Sequence, residues 1–596
     1  MTVGLRLFFH TPPPLSLLPP SLALPSPSQL PFIRPFIPNL LSRRIIRRVS
    51  SPQLLFFSRL FVVKKKEGSN RLIIDLSHLN KLLIVPSFKM ETYSKIAKGL
   101  VGPLWGCTID LEDAYFHVPM DWHFHKYLAF VVDGQVYVFQ RIPFGLSVAP
   151  WAFSRVVKPI KSYLHRLTIL ISSYLDDFLL LHSTQSGLQE SLSVVLALFD
   201  RLGIRVNYPK SRLQPSQRVE YLGVLFLLDS MELSLPESKV RSISSMCREI
   251  LRKPCLPRRA LESLVGSLNF ASGLVPLGRL RLLPIIAWVN SHTSPSSRDL
   301  PVPLDDSFRS SLRVWVDVPF LSSHVPMSVP LPDIQLMTDA SEWGWSGAIL
   351  PDRVVGQWPP VYQWMSTNWL ELKAVFLSLV HFLPWIQGES VLLMTDNTTA
   401  VSCLRRQGTL NSGPLMSLTR EILELCHAHS ITLVPKHLCG RLNVFADQGS
   451  RLDPVSTEWA LDRTTFLWLS SAWGPFQLDL FATRFNAQVS SFVSPFPDEE
   501  AAGVNALSLH WGEWDCLYLF PPTPLLPEVV ARLHGYRGRG VLVAPFFPQS
   551  SWFPSLLRRA SSYFPLPRGH SLSQTTSRGL VFHPNVSLFK LHAWVL

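Results

Sequence analysis

The stretch Ile169-Leu170-Ile171-Ser172-Ser173-Tyr174-Leu175-Asp176-Asp177-Phe178-Leu179-Leu180-Leu181 sets two adjacent acids between two apolar runs. Short apolar runs joined by a polar pair predict two strands and a tight turn, with both carboxylates exposed at one sheet edge. Side by side in so apolar a setting, the two charges repel unless something positive sits between them. A divalent cation meets that need, because carboxylate oxygens suit magnesium, which keeps waters and completes its shell with phosphate oxygens. A third acid, Asp110, ends another apolar run in Cys107-Thr108-Ile109-Asp110-Leu111. Three carboxylates on two strands can hold two metals, one beside an attacking hydroxyl and one beside a leaving phosphate. Standing alone, an Asp-Asp turn is a solvated hairpin tip; its surroundings reverse that reading.

Outward from this turn, the order of features is Lys65 and Arg71, Asp110 with Tyr115, Pro143-Phe144-Gly145, Tyr174–Asp177, Lys210, then Tyr221-Leu222-Gly223. In order and spacing this resembles the reverse transcriptases of retroelements. The resemblance implies a role for each residue. Lys65 and Arg71 match the fingers residues that grip the incoming triphosphate, where fixed positive charge offsets the phosphates. Asp110, Asp176 and Asp177 match the metal-binding triad. Tyr115 matches the aromatic residue under the sugar that excludes a ribose 2′-hydroxyl, so dNTPs are the expected substrates. Gly145 matches the glycine that lets backbone approach the template–primer. Lys210 matches the lysine near the leaving pyrophosphate, and Tyr221 to Gly223 the turn that holds the primer end. Phe144 stands where many reverse transcriptases carry Gln.

A second cluster follows. Met337-Thr338-Asp339-Ala340-Ser341 opens a strand block, Glu371 starts an apparent helix, Asp396 ends the strand Leu392–Thr395, and Asp447 lies near the start of another helix. Four acids converging over one sheet edge resemble RNase H, and by that match Asp339, Glu371, Asp396 and Asp447 hold two metals that activate water against an RNA phosphodiester. The histidine that many cellular RNases H carry before the final Asp has no clear counterpart; His437 is read as structural.

Composition frames both sites. A chain of 596 residues exceeds one hydrophobic core. Its formal charge of +14 favours a polyanion partner. Seven scattered cysteines without a CxxC pair argue against structural zinc and suit a reduced, intracellular setting, nucleus or cytoplasm. Prolines break every apolar run of residues 1–50, so these are expected to form a basic, largely disordered leader without a membrane span. Residues 51–235 are expected to form fingers and palm, 236–325 a helical thumb and linker, 326–455 the RNase H-like domain, and 456–596 a region without an assigned fold. Arg241, Arg248, Arg252, Arg258 and Arg259 either track a duplex backbone or form a solvated helix face.

Pro143-Phe144-Gly145-Leu146, Gly440-Arg441-Leu442-Asn443 and the segment Asp479–Asn486 give the whole a resemblance to DIRS-type retrotransposons, whose integration uses a tyrosine recombinase. No protease Asp-Thr/Ser-Gly, zinc-binding integrase or recombinase set stands out, so a separate recombinase or integrase polypeptide is expected. The expectation is therefore a multidomain α+β and α/β chain, a right-hand reverse transcriptase followed by an RNase H-like domain. It would use Mg2+ or Mn2+, two per site, with an RNA template, a DNA primer, dNTPs and an RNA–DNA hybrid as partners. The alternatives are a truncated, non-catalytic nucleic-acid-binding remnant, suggested by the unusual leader, or an RNase H with an inactive polymerase half.

Overall fold

The computed structural model describes residues 4–51, 53–64, 70–328, 332, 334–341, 344–349, 352–362, 364–438, 459–483, 486–495, 500–567, 572–576, 579–582 and 590–596. The chain forms two compact units, Met1–Ile96 with Leu104–Leu222, and Ala97–Pro103 with Gly223–Leu596.

The first unit contains α1 (Leu30–Ile33), α2 (Phe36–Ser42), β1 (Ile46–Arg48), β2 (Leu60–Lys64), β3 (Asn70–Ile74), β4 (Trp105–Asp110), β5 (Ala129–Val132), β6 (Gln135–Phe139), α3 (Ala149–Arg166), β7 (Leu170–Tyr174), β8 (Asp177–His182), α4 (Gln185–Arg201) and β9 (Arg212–Ser216). β2 and β3 make an antiparallel hairpin. β5 and β6 turn through Asp133 and Gly134, both at positive φ, the geometry that matches the natural twist of a two-residue hairpin. The central sheet runs β7-β8-β4-β9. β8 and β4 read as largely apolar runs because α4 packs on both, while α3 packs on β7.

The expectation of a largely disordered leader is corrected. Ile33, Ile37, Leu40, Ile45 and Ile46 are buried in the same core as Ile109, Phe178 and Leu180. β1 adds to the edge of β6, with Ile46 opposite Phe139 and Arg48 opposite Tyr137. The prolines do not prevent this: Pro35 caps α2 and Pro31 lies in the first turn of α1, where a missing N–H leaves no bond unmade.

In the second unit, α5 (Glu237–Leu251), α6 (Arg258–Ser272) and α7 (Gly278–His292) confirm the helical periodicity of residues 237–290. The segment expected as a linker instead folds back: Pro301–Pro303 pairs antiparallel with Cys255–Pro257, and Arg298 pairs with Glu262. Next comes a five-stranded sheet built from β10 (Ile334–Ala340), β11 (Gly344–Ile349), β12 (Asp352–Gln357), β13 (Ser390–Thr395) and β14 (Thr432–His437). Its order is β12-β11-β10-β13-β14, antiparallel from β10 outward on one side and parallel on the other.

Helix α8 (Thr367–Ile386) packs on β10 and β11. A Cβ at Gly347 would lie 2.1 Å from Ser378 Oγ, so glycine is what lets the helix approach. By length and apolar composition α8 would pass as a membrane span, yet it carries the buried Glu371 and half of its apolar window is covered. Beyond it, the region without a sequence-assigned fold is another α/β domain. Leu478–Asp479, Cys516–Leu519 and Arg539–Pro545 run parallel, and Leu591–Val595 pairs antiparallel with both Arg539–Pro545 and Ser562–Pro565.

Ile33 is fully buried and Leu40 nearly so. Truncating either to Ala should cost about 2–4 kcal/mol, read as a lower denaturation midpoint for the purified chain. A disordered leader would leave the midpoint unchanged.

Candidate active sites

β4 pairs antiparallel with β8 so that Asp110 stands opposite Asp177. The turn from β7 into β8 passes through Leu175, at φ 54°, and Asp176. The N–H of Leu111 donates to the Asp176 carbonyl at 3.0 Å, which ties the hairpin tip to the end of β4. On the other side, the Asp110 N–H donates to Ser211 Oγ at 3.0 Å, and its carbonyl accepts from the Asn207 N–H at 2.8 Å. The loop carrying Lys210 is thereby laced to the strand carrying Asp110.

The electrostatics follow from this crowding. Burial, then the charges of Asp176 and Asp110, push the Asp177 carboxyl up to about 6. Burial also raises Asp110, while Lys210 opposes the rise. The Asp110 and Asp177 carboxyls face each other closely enough that the proton Asp177 carries below about 6 is directed at Asp110. A cation of higher charge relieves the same repulsion, and this donor set of carboxylate oxygens fits a divalent metal.

Around the acids, Tyr115 packs 5.1 Å from Phe144 and 6.0 Å from Phe153, ring centre to ring centre. Burial and the nearby Asp176 charge push its phenol up to about 12. Arg71 lies over the Phe144 ring at 5.0 Å. Gly145 has φ +98°, and a Cβ there would meet the Ile74 carbonyl at 3.1 Å, so no other residue fits without strain. Tyr221 Oη donates to the Asp177 carbonyl at 3.1 Å. Gly223 opens the second unit at φ +72°. Lys65 lies outside the described residues.

Three supporting residues escape a sequence reading. Asn207 and Ser211 brace Asp110. Glu91 takes the Lys161 ammonium at 2.7 Å and the Ser173 N–H at 3.1 Å, fixing β7 just before the acidic turn.

At the second sheet, β10 and β13 run parallel in register, which brings Asp339 near the end of one strand beside Asp396 just past the end of the other. Glu371 arrives from the first turns of α8, whose start Ser366 caps by accepting from the Trp369 N–H. Ligand oxygens of Asp339, Glu371 and Asp396 all lie within 4.8 Å of one another, a spacing that one cation can bridge. Burial and the charges of Asp396 and Asp339 push Glu371 up to about 8. Thr395 Oγ1 donates to Glu371 Oε2 at 3.5 Å. Asp447 lies outside the described residues. His437, opposite Thr395 on β14, stays apart from this group of three.

Residues 63–226, which hold the first sheet and its acids, match the family profile described as "Reverse transcriptase (RNA-dependent DNA polymerase)". The chain is also similar to Protein P of Duck hepatitis B virus (isolate brown Shanghai duck S5), 26% identical over 292 residues, 48% of this chain and 36% of that protein. A second relative is the "Retrovirus-related Pol polyprotein from transposon opus" of Drosophila melanogaster, 24% identical over 448 residues, 72% of this chain and 42% of the relative. The matches thus span well under half the length of these relatives. Among solved structures, the "foamy viral protease-reverse transcriptase dRH in complex with ds DNA" aligns with a TM-score of 0.48 at 18% identity, covering 73% of this chain and 75% of that one.

Because Glu371 titrates near 8 when folded and near its ordinary 4.5 when unfolded, the metal-free folded state binds the extra proton between those values. The resulting stability is fully present below the lower value and lost as pH rises through the upper one. In EDTA, thermal melting of the wild type should fall across pH 5–8.5 more steeply than that of Glu371→Gln. Parallel curves would contradict the burial of a neutral acid here.

Proposed function

We propose that this chain is a retroelement polymerase that copies an RNA template into DNA and degrades the RNA strand of the resulting hybrid at a second site. The observation that carries the polymerase half is the convergence of Asp110, Asp176 and Asp177 at one sheet edge inside the reverse-transcriptase region. Magnesium or manganese, two per site, would supply Lewis acidity and counter-charge at phosphorus, held by those three acids and, in the second site, by Asp339, Glu371 and Asp396 with Asp447 as fourth ligand.

The chain's own groups do the rest. Lys210, facing the acids, offers positive charge where the pyrophosphate departs. Arg71 and Lys65 hold the triphosphate, and Tyr115 packs under the sugar and disfavours a 2′-hydroxyl. Gly145 keeps backbone close to the template–primer, while Tyr221 and Gly223 shape the turn at the primer end. In the second site Glu371 holds a proton near neutrality, and cation binding there would release it.

The partners on this reading are an RNA template, a DNA primer, dNTPs and an RNA–DNA hybrid, met in nucleus or cytoplasm, with integration left to a separate recombinase polypeptide. Pro143–Leu146 and the Asp479–Asn486 segment support a DIRS-type element. The α5–α6 arginines divide: Arg258 turns inward onto Glu262 and the Thr293 carbonyl, whereas Arg248, Arg252 and Arg259 are exposed and suited to a phosphate backbone.

Primer extension and hybrid cleavage separate the two sites. Asp176→Asn with Asp177→Asn should lower DNA synthesis by about a hundredfold or more and leave RNA cleavage intact. Asp396→Asn should do the opposite. Loss of both activities from either change would break the two-site reading, and cleavage without synthesis by the wild type would leave an RNase H with a silent polymerase half.

A further inference from the structure

A cavity of about 340 Å³ lies within the first unit. Arg71, Asp113 and Phe144 line one side, and Phe36, Asn39 and Arg43 of the N-terminal segment line the other. It reaches the acids through two rings: Phe144, in its wall, packs on Tyr115, and the Tyr115 phenol feels the charge of Asp176. The walls combine aromatic faces with the Arg71 guanidinium. That mixture suits a nucleoside triphosphate, which presents flat and anionic parts together.

Arg43 does something different from Arg71. Its Nη1 lies 2.7 Å from Asp113 Oδ2 and 3.6 Å from Glu112 Oε1, and its side chain is only 18% exposed. With two acids already on it, Arg43 positions rather than binds. What it holds is a left-handed residue: Asp113 has φ 50°, a conformation that non-glycine residues seldom adopt. Asp113 is also the residue that opens the Ala114–His117 turn, and its side chain caps none of that turn's N–H groups. Asp110 lies three residues before it and Tyr115 two residues after. An arginine seventy residues upstream therefore clamps the short connection between a metal-binding acid and the aromatic that meets the sugar.

We propose that the N-terminal segment Pro35–Arg43 forms one wall of the incoming nucleotide's pocket, with Arg43 positioning, through Asp113, the turn that carries Tyr115. The proposal rests on the polymerase reading and adds that nucleotide affinity and sugar choice depend in part on the leader.

The test uses the full chain in single-nucleotide primer extension, with dTTP and UTP as probes and thermal melting as the check on folding. Arg43→Gln should raise the KM for dTTP about tenfold, change kcat less than about threefold, and narrow the preference for dTTP over UTP. Arg43→Lys, which keeps the charge, should recover most of that loss. Asn39→Trp, made at an exposed position on the same wall, should raise the KM by obstruction, and it decides the matter if Arg43→Gln does not fold. Wild-type KM and sugar preference in folded Asn39→Trp and Arg43→Gln would overturn the proposal while leaving the polymerase intact. Absence of any synthesis by the wild type would instead bring down the polymerase reading, and this proposal with it.

Discussion

Two carboxylates facing each other across a buried β-ladder repel, and the first unit is organised around that repulsion. The register of β4 against β8 sets Asp110 opposite Asp177, and a slip of one residue would turn one of them to the other face of the sheet. Everything nearby keeps the register while limiting its electrostatic cost. Lys210 faces the acids from a loop bonded at two points to Asp110. The Glu91–Lys161 pair anchors β7, and Tyr221 holds the Asp177 backbone from below. A proton shared between two acids is the weakest of these remedies, and a bound cation the strongest.

The second sheet meets the same condition with different parts. There the strands run parallel, so two strand ends lie side by side and deliver Asp339 and Asp396 without a hairpin. The third acid comes from a helix, and its deeper burial explains why Glu371 rises further than Asp177. Gly347 governs this site from a distance, because the close approach of α8 that it permits is what carries Glu371 to the strand ends.

Local features of the sequence read well. The β2–β3 and β7–β8 hairpins, the Asp133-Gly134 turn and the three helices from 237 to 290 follow from apolar runs and turn residues, all signals within a dozen positions of one another. Asp110, Asp176, Asp177, Asp339, Glu371 and Asp396 stood out in the sequence by their joint order, which resembles that of reverse transcriptases and RNase H; taken singly each reads as a hairpin tip, a cap or a surface acid. What stayed hidden depends on distant partners. Proline content suggested a disordered leader, yet Ile33, Ile37 and Leu40 find their core in residues that come much later in the chain. The Ser291–Pro303 stretch has linker composition, but its Pro301–Pro303 strand is specified by Cys255–Pro257. The domain after residue 459 has short parallel strands with little periodicity, and its order emerges only from their mutual pairing.

The leader's dependence on a distant strand has a consequence for biosynthesis. Ile46 leaves the ribosome about ninety residues before Phe139, its partner across β1 and β6. At ordinary elongation rates that is on the order of five to twenty seconds. For most of that interval the isoleucines and leucines of α1 and α2 have only the early part of their core, Leu60 and Ile74 among it, and until the later part emerges they present apolar surface to chaperones and to neighbouring nascent chains on the same polysome. Codon usage between residues 46 and 139 would therefore influence how much polypeptide reaches the native state, without changing a single side chain.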